Sequence, residues 1–350
     1  MENVPVFVGL DYHSKSVQVC VVDERGRVLV NKRCGNSVLE ITAAVGPGRE
    51  VRRAAIESCC GAADLAEELI DARTGPGWAV TLAHAGYVAR MKSNPDKTDY
   101  SDARLLAELC RAGLIPPVWL APESVRELRL LVRLRADLVA QTRAVKTRVL
   151  GVLRQQRIVE PAGRGRGRWS RAWTAWLSGE NALSEQARFV VATLLEDLAF
   201  LRRKVEQVEA RLRSATAGDE VVARLLTVKG VGEVTAWTMR ALIGRFDRFA
   251  SGKHLARFCA VTPLNASSGQ RVADAGMIRA GDPLLKTVVI EAAQRLRRYE
   301  PRWRELSASM AARGKAAGAI VGAVANRWLR GLFHQLKEVP AACAGEVACT

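Results

Sequence analysis

Val6-Phe7-Val8-Gly9-Leu10-Asp11 is an apolar run that ends on a carboxylate, and Val51-Arg52-Arg53-Ala54-Ala55-Ile56-Glu57 ends the same way. Between them, residues 17–22 and 28–32 read as two further strands, linked through Glu24-Arg25-Gly26-Arg27. Residues 36–44 open with an Asn-Ser cap and read as a helix. Residues 63–72 then predict a helix and 79–82 a strand, and helix signals resume around Tyr87 and over 100–112. Three strands, a helix, then strand–helix–strand–helix is the order of the ribonuclease H type of α/β fold. In that order Asp11 belongs mid-sheet on the first strand and Glu57 on the adjacent fourth.

Two more acids follow in Asp96-Lys97-Thr98-Asp99-Tyr100-Ser101-Asp102, at the mouth of the helix over 100–112. Asp99 and Asp102 stand three apart and so share one helical face. Carboxylates converging on one point repel each other unless cations neutralise them, and hard Mg²⁺ or Mn²⁺ ions prefer oxygen ligands. Two such ions, roughly 3.5–4 Å apart, would clamp the attacking and leaving oxygens of a phosphodiester. Taken singly, each acid has an ordinary explanation: a helix cap at Asp99, for example, is worth about 1 kcal/mol. The set of four, two of them at strand ends, points to catalysis. His13 follows Asp11 closely enough to touch a phosphate, and is otherwise a turn residue.

The 350 residues suffice for two or three domains with cores of their own, and 49% are hydrophobic, which excludes a disordered arm. No apolar run approaches the length of a membrane span, and the first residues lack a signal peptide's basic start, so a soluble cytoplasmic protein is expected. Lys and Arg number 53 against 36 Asp and Glu, a net +17 that points to a polyanionic partner such as nucleic acid, although a genome rich in Arg codons would inflate it too. The eight cysteines show no CxxC spacing, and the four histidines form no cluster with them. Structural zinc is therefore not expected, and reduced, mostly buried thiols are.

Pro116-Pro117 closes the first domain, set at 1–118. A long basic helix is predicted over 123–157, followed by the Gly-Arg repeat carrying Arg164, Arg166 and Arg168. Trp169, Trp173 and Trp176 fall on one helical face, to pack against a neighbour or to stack unpaired bases. Apolar residues at 190, 194, 198, 201, 205, 208 and 212 alternate four and three, a coiled-coil seam. It would pair with 123–157 or with another chain, and it makes 119–218 a middle segment. Leu225-Leu-Thr-Val-Lys229-Gly230-Val-Gly232 joins two apolar helices by a Gly-x-Gly turn, the pattern of a helix-hairpin-helix. Backbone N–H groups of such a turn can hold a phosphate without reading sequence, with Lys229 beside them; a plain helical turn is the alternative. A last domain over 219–340 holds Thr262-Pro263-Leu-Asn-Ala-Ser267-Ser268-Gly269, then Arg271, Arg279 and Lys286. Serine before glycine offers a hydroxyl on a backbone free to approach a ligand, and the basic residues could bind a phosphate. No histidine stands near it to act as base, and on the residues alone an ordinary Ser-Ser-Gly turn is the favoured reading.

At this point the chain resembles, along nearly its whole length, the DEDD transposases of bacterial insertion sequences related to the Piv DNA invertase, the bridge-RNA-guided recombinases. The matching pieces are Gly9-Leu-Asp11, Ala55-Ile-Glu57, Lys97-Thr-Asp99-Tyr-Ser-Asp102-Ala, Lys229-Gly-Val-Gly232, and Thr262-Pro with Ser267-Ser-Gly269. The resemblance implies a RuvC-like first domain, a coiled-coil insertion and a small, mostly helical transposase domain. It implies that Asp11, Glu57, Asp99 and Asp102 are metal ligands and that Ser268, with Ser267 as second choice, attacks a DNA phosphodiester to form a phosphoserine. It further implies donor and target DNA, a noncoding bridge RNA, and a dimer or tetramer in which one protomer's acids work with another's serine, in a bacterial cytoplasm at the nucleoid. Asp282 and Lys286 depart from the family, which more often has Asn and Arg there, and Arg to Lys is not neutral at a bidentate phosphate contact. Two other readings compete: a metal-dependent nuclease or junction resolvase with water as nucleophile, and a non-catalytic nucleic-acid-binding protein.

Overall fold

The computed structural model describes residues 4–92, 98–159, 167–179, 182–265 and 274–339. They form two compact units, residues 1–121 and 122–350.

The first unit is built on β1 (Val4–Tyr12), β2 (Ser16–Asp23) and β3 (Val28–Gly35), followed by α1 (Val38–Val45), β4 (Arg49–Glu57), α2 (Ala62–Ile70), β5 (Val80–Ala83), α3 (Ala85–Met91), α4 (Asp99–Arg111) and β6 (Pro117–Val118). The sheet order is β3-β2-β1-β4-β5-β6. β1 pairs antiparallel with β2 and parallel with β4, and β5 lies parallel to β4. This mixed sheet is compatible with a RuvC-like domain; β4 lies beside β1 as expected, and β6 is an addition. Short links explain the antiparallel start. Asp23 closes the β2–β3 turn by accepting from the backbone N–H groups of Arg25 and Arg27, both at 2.9 Å. The parallel pairs need crossovers, and α1 and α2 provide them.

α1 begins where expected: the Ser37 side chain accepts from the Glu40 N–H, and the Glu40 carboxylate accepts from the Gly35 N–H at 2.7 Å. One sheet face is filled by Val6, Val8, Leu10, Val17, Val19, Val21, Ala54 and Ile56 with Ile41 and Leu65 from α1 and α2. The other carries α4. At Gly9 a Cβ would lie 2.1 Å from the Ala103 carbonyl oxygen and 2.4 Å from the Ala107 nitrogen, so the α4 backbone runs directly over β1. That close approach fixes where the first turn of α4 stands above the sheet.

The second unit contains α5 (Glu123–Gln155), α6 (Arg171–Ser178), α7 (Glu185–Ala215), α8 (Glu220–Thr227), α9 (Glu233–Ile243), α10 (Gly252–Phe258), the strands β7 (Pro263–Asn265) and β8 (Asp274–Met277), and α11 (Pro283–Tyr299), α12 (Pro301–Ala312) and α13 (Ala317–Leu336). α5 and α7 share one apolar core with α8–α13. On α7 the buried positions are 187, 191, 194, 201, 208 and 212, with 195, 198 and 205 half-buried. The seam therefore enters through Val191, while Val190, which the spacing put inside, faces out. Both residues are valines, so hydrophobicity alone does not choose between them. Trp173 is fully buried, with the Trp169 and Trp176 rings packed beside it at 4.6 and 5.8 Å, so its ring serves as core.

β7 and β8 pair antiparallel and were not anticipated, because their residues carry no apolar alternation. Among the described residues no helix is long and apolar enough to cross a membrane.

Candidate active site

Asp11 is the last but one residue of β1 and Glu57 the last of β4. The two strands run parallel with Leu10 opposite Ile56, so both carboxylates leave the sheet at neighbouring strand ends. In an open α/β sheet this carboxyl edge is where ligands bind.

α4 brings the other pair. Its N-terminus is set by Thr98, whose hydroxyl accepts from the Ser101 N–H while the Ser101 hydroxyl reaches back to the Thr98 backbone. This capping box orients the first turn, so Asp99 and Asp102 do not themselves serve as the cap. Asp102 is almost fully buried, and Asp99 is partly exposed. His13, from the β1–β2 turn, stands between the two elements: its Nε2 lies 3.4 Å from Asp11 Oδ2 and 3.3 Å from Asp99 Oδ2. Ligand atoms of Asp11, His13 and Asp99 all fall within 4.8 Å of one another, close enough to share one ion.

The electrostatics agree with the geometry. Burial raises the Asp11 carboxyl above its ordinary range; His13 opposes this, and the charges of Asp99, Asp102 and Glu57 add to the rise. The charges of the other three acids thus all reach Asp11, while only Asp99 joins Asp11 and His13 in the close group. Burial pushes Asp99 the same way, but Arg33, which bonds its carboxylate from β3, and His13 outweigh that and hold it low. Asp102 is paired with Lys92, whose Nζ donates to Oδ2 at 2.7 Å. Asp11, His13 and Asp99 offer donors that would suit a hard divalent ion, while Arg33 and Lys92 hold the carboxylates of Asp99 and Asp102.

Arg33 and Lys92 were not foreseen. Each lies far in sequence from the acid it meets, and each looks like a solvated surface cation. His13 could have been weighed more heavily, because two residues beyond a strand-end carboxylate is within reach of it.

The remaining sequence candidates belong to the second unit. Gly230 has φ +91°, as a turn glycine requires, and Gly232 is the N-cap of α9. The start of α9 also carries Glu233, held by both ends of the Arg213 guanidinium at 2.8 and 2.9 Å. Lys229 lies within the turn, and Arg279 is exposed just after β8. Lys286 donates to the Ile278 carbonyl at 3.2 Å. Asp282 caps α11 by accepting from the Leu284 and Leu285 N–H groups and pairs with Arg133 at 3.0 Å. A neutral Asn there would still cap α11 but would serve Arg133 less well. Arg168 is exposed. Arg164, Arg166, Ser267, Ser268 and Arg271 lie outside the described residues.

Comparison with known proteins gives matches in both units. A DEDD transposase model of the IS110 type, described as a transposase, covers residues 8–158, and a model described as "Transposase IS116/IS110/IS902 family" covers residues 222–308. Among curated relatives, the chain is 24% identical over 294 residues to the transposase for insertion sequence element IS1111A of Coxiella burnetii, spanning 83% of this chain and 78% of that protein. It is 25% identical over 295 residues to the transposase for insertion sequence element IS1328 of Yersinia enterocolitica, spanning 84% of each. A probable family 20 transposase of Pseudomonas aeruginosa is 25% identical over 226 residues, 62% of this chain and 67% of its own.

Proposed function

We infer that this chain, which belongs to the IS110 family of DEDD insertion-sequence transposases, cuts and rejoins DNA using Asp11, Glu57, Asp99 and Asp102 as ligands for Mg²⁺ or Mn²⁺ and Ser268 as nucleophile. The observation that carries this reading is the meeting of strand-end Asp11 with α4's Asp99 around His13. When bound, the ion would offset charge on the non-bridging oxygens of a DNA phosphodiester. Asp11 and Glu57 stand at strand ends and Asp99 and Asp102 on the capped helix, so the proposed ligands would be carried by rigid elements. His13, Arg33 and Lys92 offset the acids' mutual repulsion.

The Ser268 hydroxyl would attack phosphorus, forming a phosphoserine ester as one bridging P–O bond breaks and the departing DNA oxygen takes up a proton. The ester retains the bond for rejoining to a second strand, which water as nucleophile would lose. Ser267 is the alternative nucleophile. Lys229 with the Gly230–Gly232 turn, read as a helix-hairpin-helix, Arg271 and Arg279 would hold DNA backbone. Arg164, Arg166 and Arg168 would add charge beside it.

We also propose that residues 119–218 act as a coiled-coil segment, built on α5 and α7, and 219–340 as the transposase domain. α7 exposes Phe189 and Phe200, and α5 exposes Leu130 and Leu134, apolar surface that a second copy would cover in a dimer or tetramer. A structured noncoding RNA pairing with donor and target DNA would supply sequence choice, and the work would be done at the nucleoid in the bacterial cytoplasm.

The test traps protein on cleaved DNA. A covalent protein–DNA adduct that forms with Mg²⁺, disappears in EDTA and is missing in Ser268→Ala supports the proposal. Free DNA ends without adduct would assign hydrolysis instead. Strand transfer surviving in Asp11→Ala would remove the acids from the mechanism.

A further inference from the structure

At the far end of α5 the second unit has a cleft of about 320 Å³, lined by Leu150, Leu153, Ile158, Arg154 and Arg168. Lys146, Leu150 and Arg154 recur every four residues and so share one side of the helix. Lys146 Nζ stands 5.3 Å from the centre of the Trp169 ring. The cleft thus has an aliphatic floor with the cations Arg154 and Arg168 on its rim. Two residues next to the lining have left-handed backbone. Arg157, at φ +56°, occupies the left-handed position just after α5 where glycine is usual, and Trp169, next to Arg168, has φ +75°. A bulky aromatic at positive φ is a genuine outlier, and such strain gathers where a ligand is held.

Aliphatic floor, guanidinium rim and this volume match one unpaired nucleotide, whose base can be desolvated while its phosphate meets arginine. A duplex keeps its bases stacked inside and cannot offer one. The strands that a transposase opens are DNA, which makes a deoxynucleotide the occupant.

We propose that the cleft holds a single unpaired nucleotide of a DNA strand, its base on Leu150, Leu153 and Ile158 and its phosphate between Arg154 and Arg168. The proposal rests on the transposase reading only for the presence of opened DNA strands.

Binding of labelled oligo-dT, a mixed-sequence duplex and oligo-rU to the full-length chain, followed by fluorescence anisotropy in EDTA at fixed salt, tests it without any cleavage. Arg154→Ala removes an exposed rim cation, Leu150→Trp fills the floor without changing charge, and Arg313→Ala removes one charge at the end of α12 as a control. Oligo-dT affinity should fall about tenfold in Arg154→Ala and in Leu150→Trp, with duplex affinity nearly unchanged, as expected for loss of one base contact. Arg313→Ala should lower neither selectively. Equal losses for duplex and oligo-dT, or no loss in either cleft variant with melting unchanged, would overturn the proposal. Oligo-rU binding as tightly as oligo-dT through the same residues would overturn the assignment to DNA. Because no metal is present, failure of the adduct assay leaves this result standing, and failure here leaves the adduct assay standing.

Discussion

Gly9 is the residue on which the acid cluster turns. Its missing side chain lets α4 lie on β1, and a Cβ would have to displace helix backbone, which cannot give way as a flexible side chain does. Gly9→Ala should cost about 1–3 kcal/mol through overpacking. It should also weaken Mn²⁺ binding, read by electron paramagnetic resonance, because the helix carrying Asp99 and Asp102 would shift away from Asp11. A variant that loses stability yet binds Mn²⁺ as wild type does would show that α4 placement is unimportant to the ligands. Asp11→Asn keeps size and removes charge, and should lower strand transfer by about a thousandfold, the worth of several kcal/mol of transition-state stabilisation. The four candidate acids could be singled out because each sits within a turn of an element's start or end, and the structure brings Asp11 and Asp99 together. Arg33 and Lys92 were not, because their partners come from other elements and only the folded sheet brings them together.

The helices and strands were legible to the extent that burial was one-sided or continuous. β1, β2 and β4 read directly from their apolar runs, while β6, two residues long and starting at Pro117, has no periodicity to find. The heptad spacing left α7 to pair with 123–157 or with another chain, and neither that choice nor its rotation was legible: Val190 and Val191 are equivalent until the partner helix is in place. Between α8 and α9 the decisive group is ionic. Arg240 is almost wholly buried, donating from Nε to Asp219 at 2.6 Å and to the Gly244 carbonyl at 3.0 Å, while Asp219 also caps α8. Asp219→Ala removes a cap and leaves a buried guanidinium without its carboxylate, so urea unfolding should show a loss of about 3–5 kcal/mol. Asp219→Asn should lose less, since it still caps. The β2–β3 turn offers a pH-dependent counterpart. Asp23 is held below its ordinary value of 3.8 by the Arg27 backbone N–H, against some desolvation, with help from the Arg27 side chain and the Arg25 N–H. A lowered carboxyl stabilises the fold above its unfolded value, and that contribution is lost as pH falls through the folded one. Asp23→Ala should therefore melt below wild type at neutral pH, and the gap should close in acid below about 3.8; a gap independent of pH would mean that the charge on Asp23 plays no part.

On the scale of the whole molecule, 53 cationic against 36 anionic side chains make association with DNA strongly dependent on salt. With about six phosphates contacted, affinity should fall about a thousandfold between 50 and 200 mM salt. Charge explains attraction but not the division of labour between the two units, where the acids belong to residues 1–121 and the proposed serine to 122–350. If acids and serine of different protomers form each site, two inactive chains should repair one another. In a mixed dimer of Asp11→Asn and Ser268→Ala protomers, one composite site has intact acids from the second and an intact serine from the first. The other site carries both lesions. Random pairing makes about half the dimers mixed, so about a quarter of wild-type sites should recover, and the covalent adduct should form only on the Asp11→Asn chain. Sites built within one protomer would give no recovery in any mixture, because every site would then retain one lesion. The absence of adduct in the mixture, with both variants shown to associate, would therefore place acids and serine in the same chain and require the two units to act on one phosphodiester in cis.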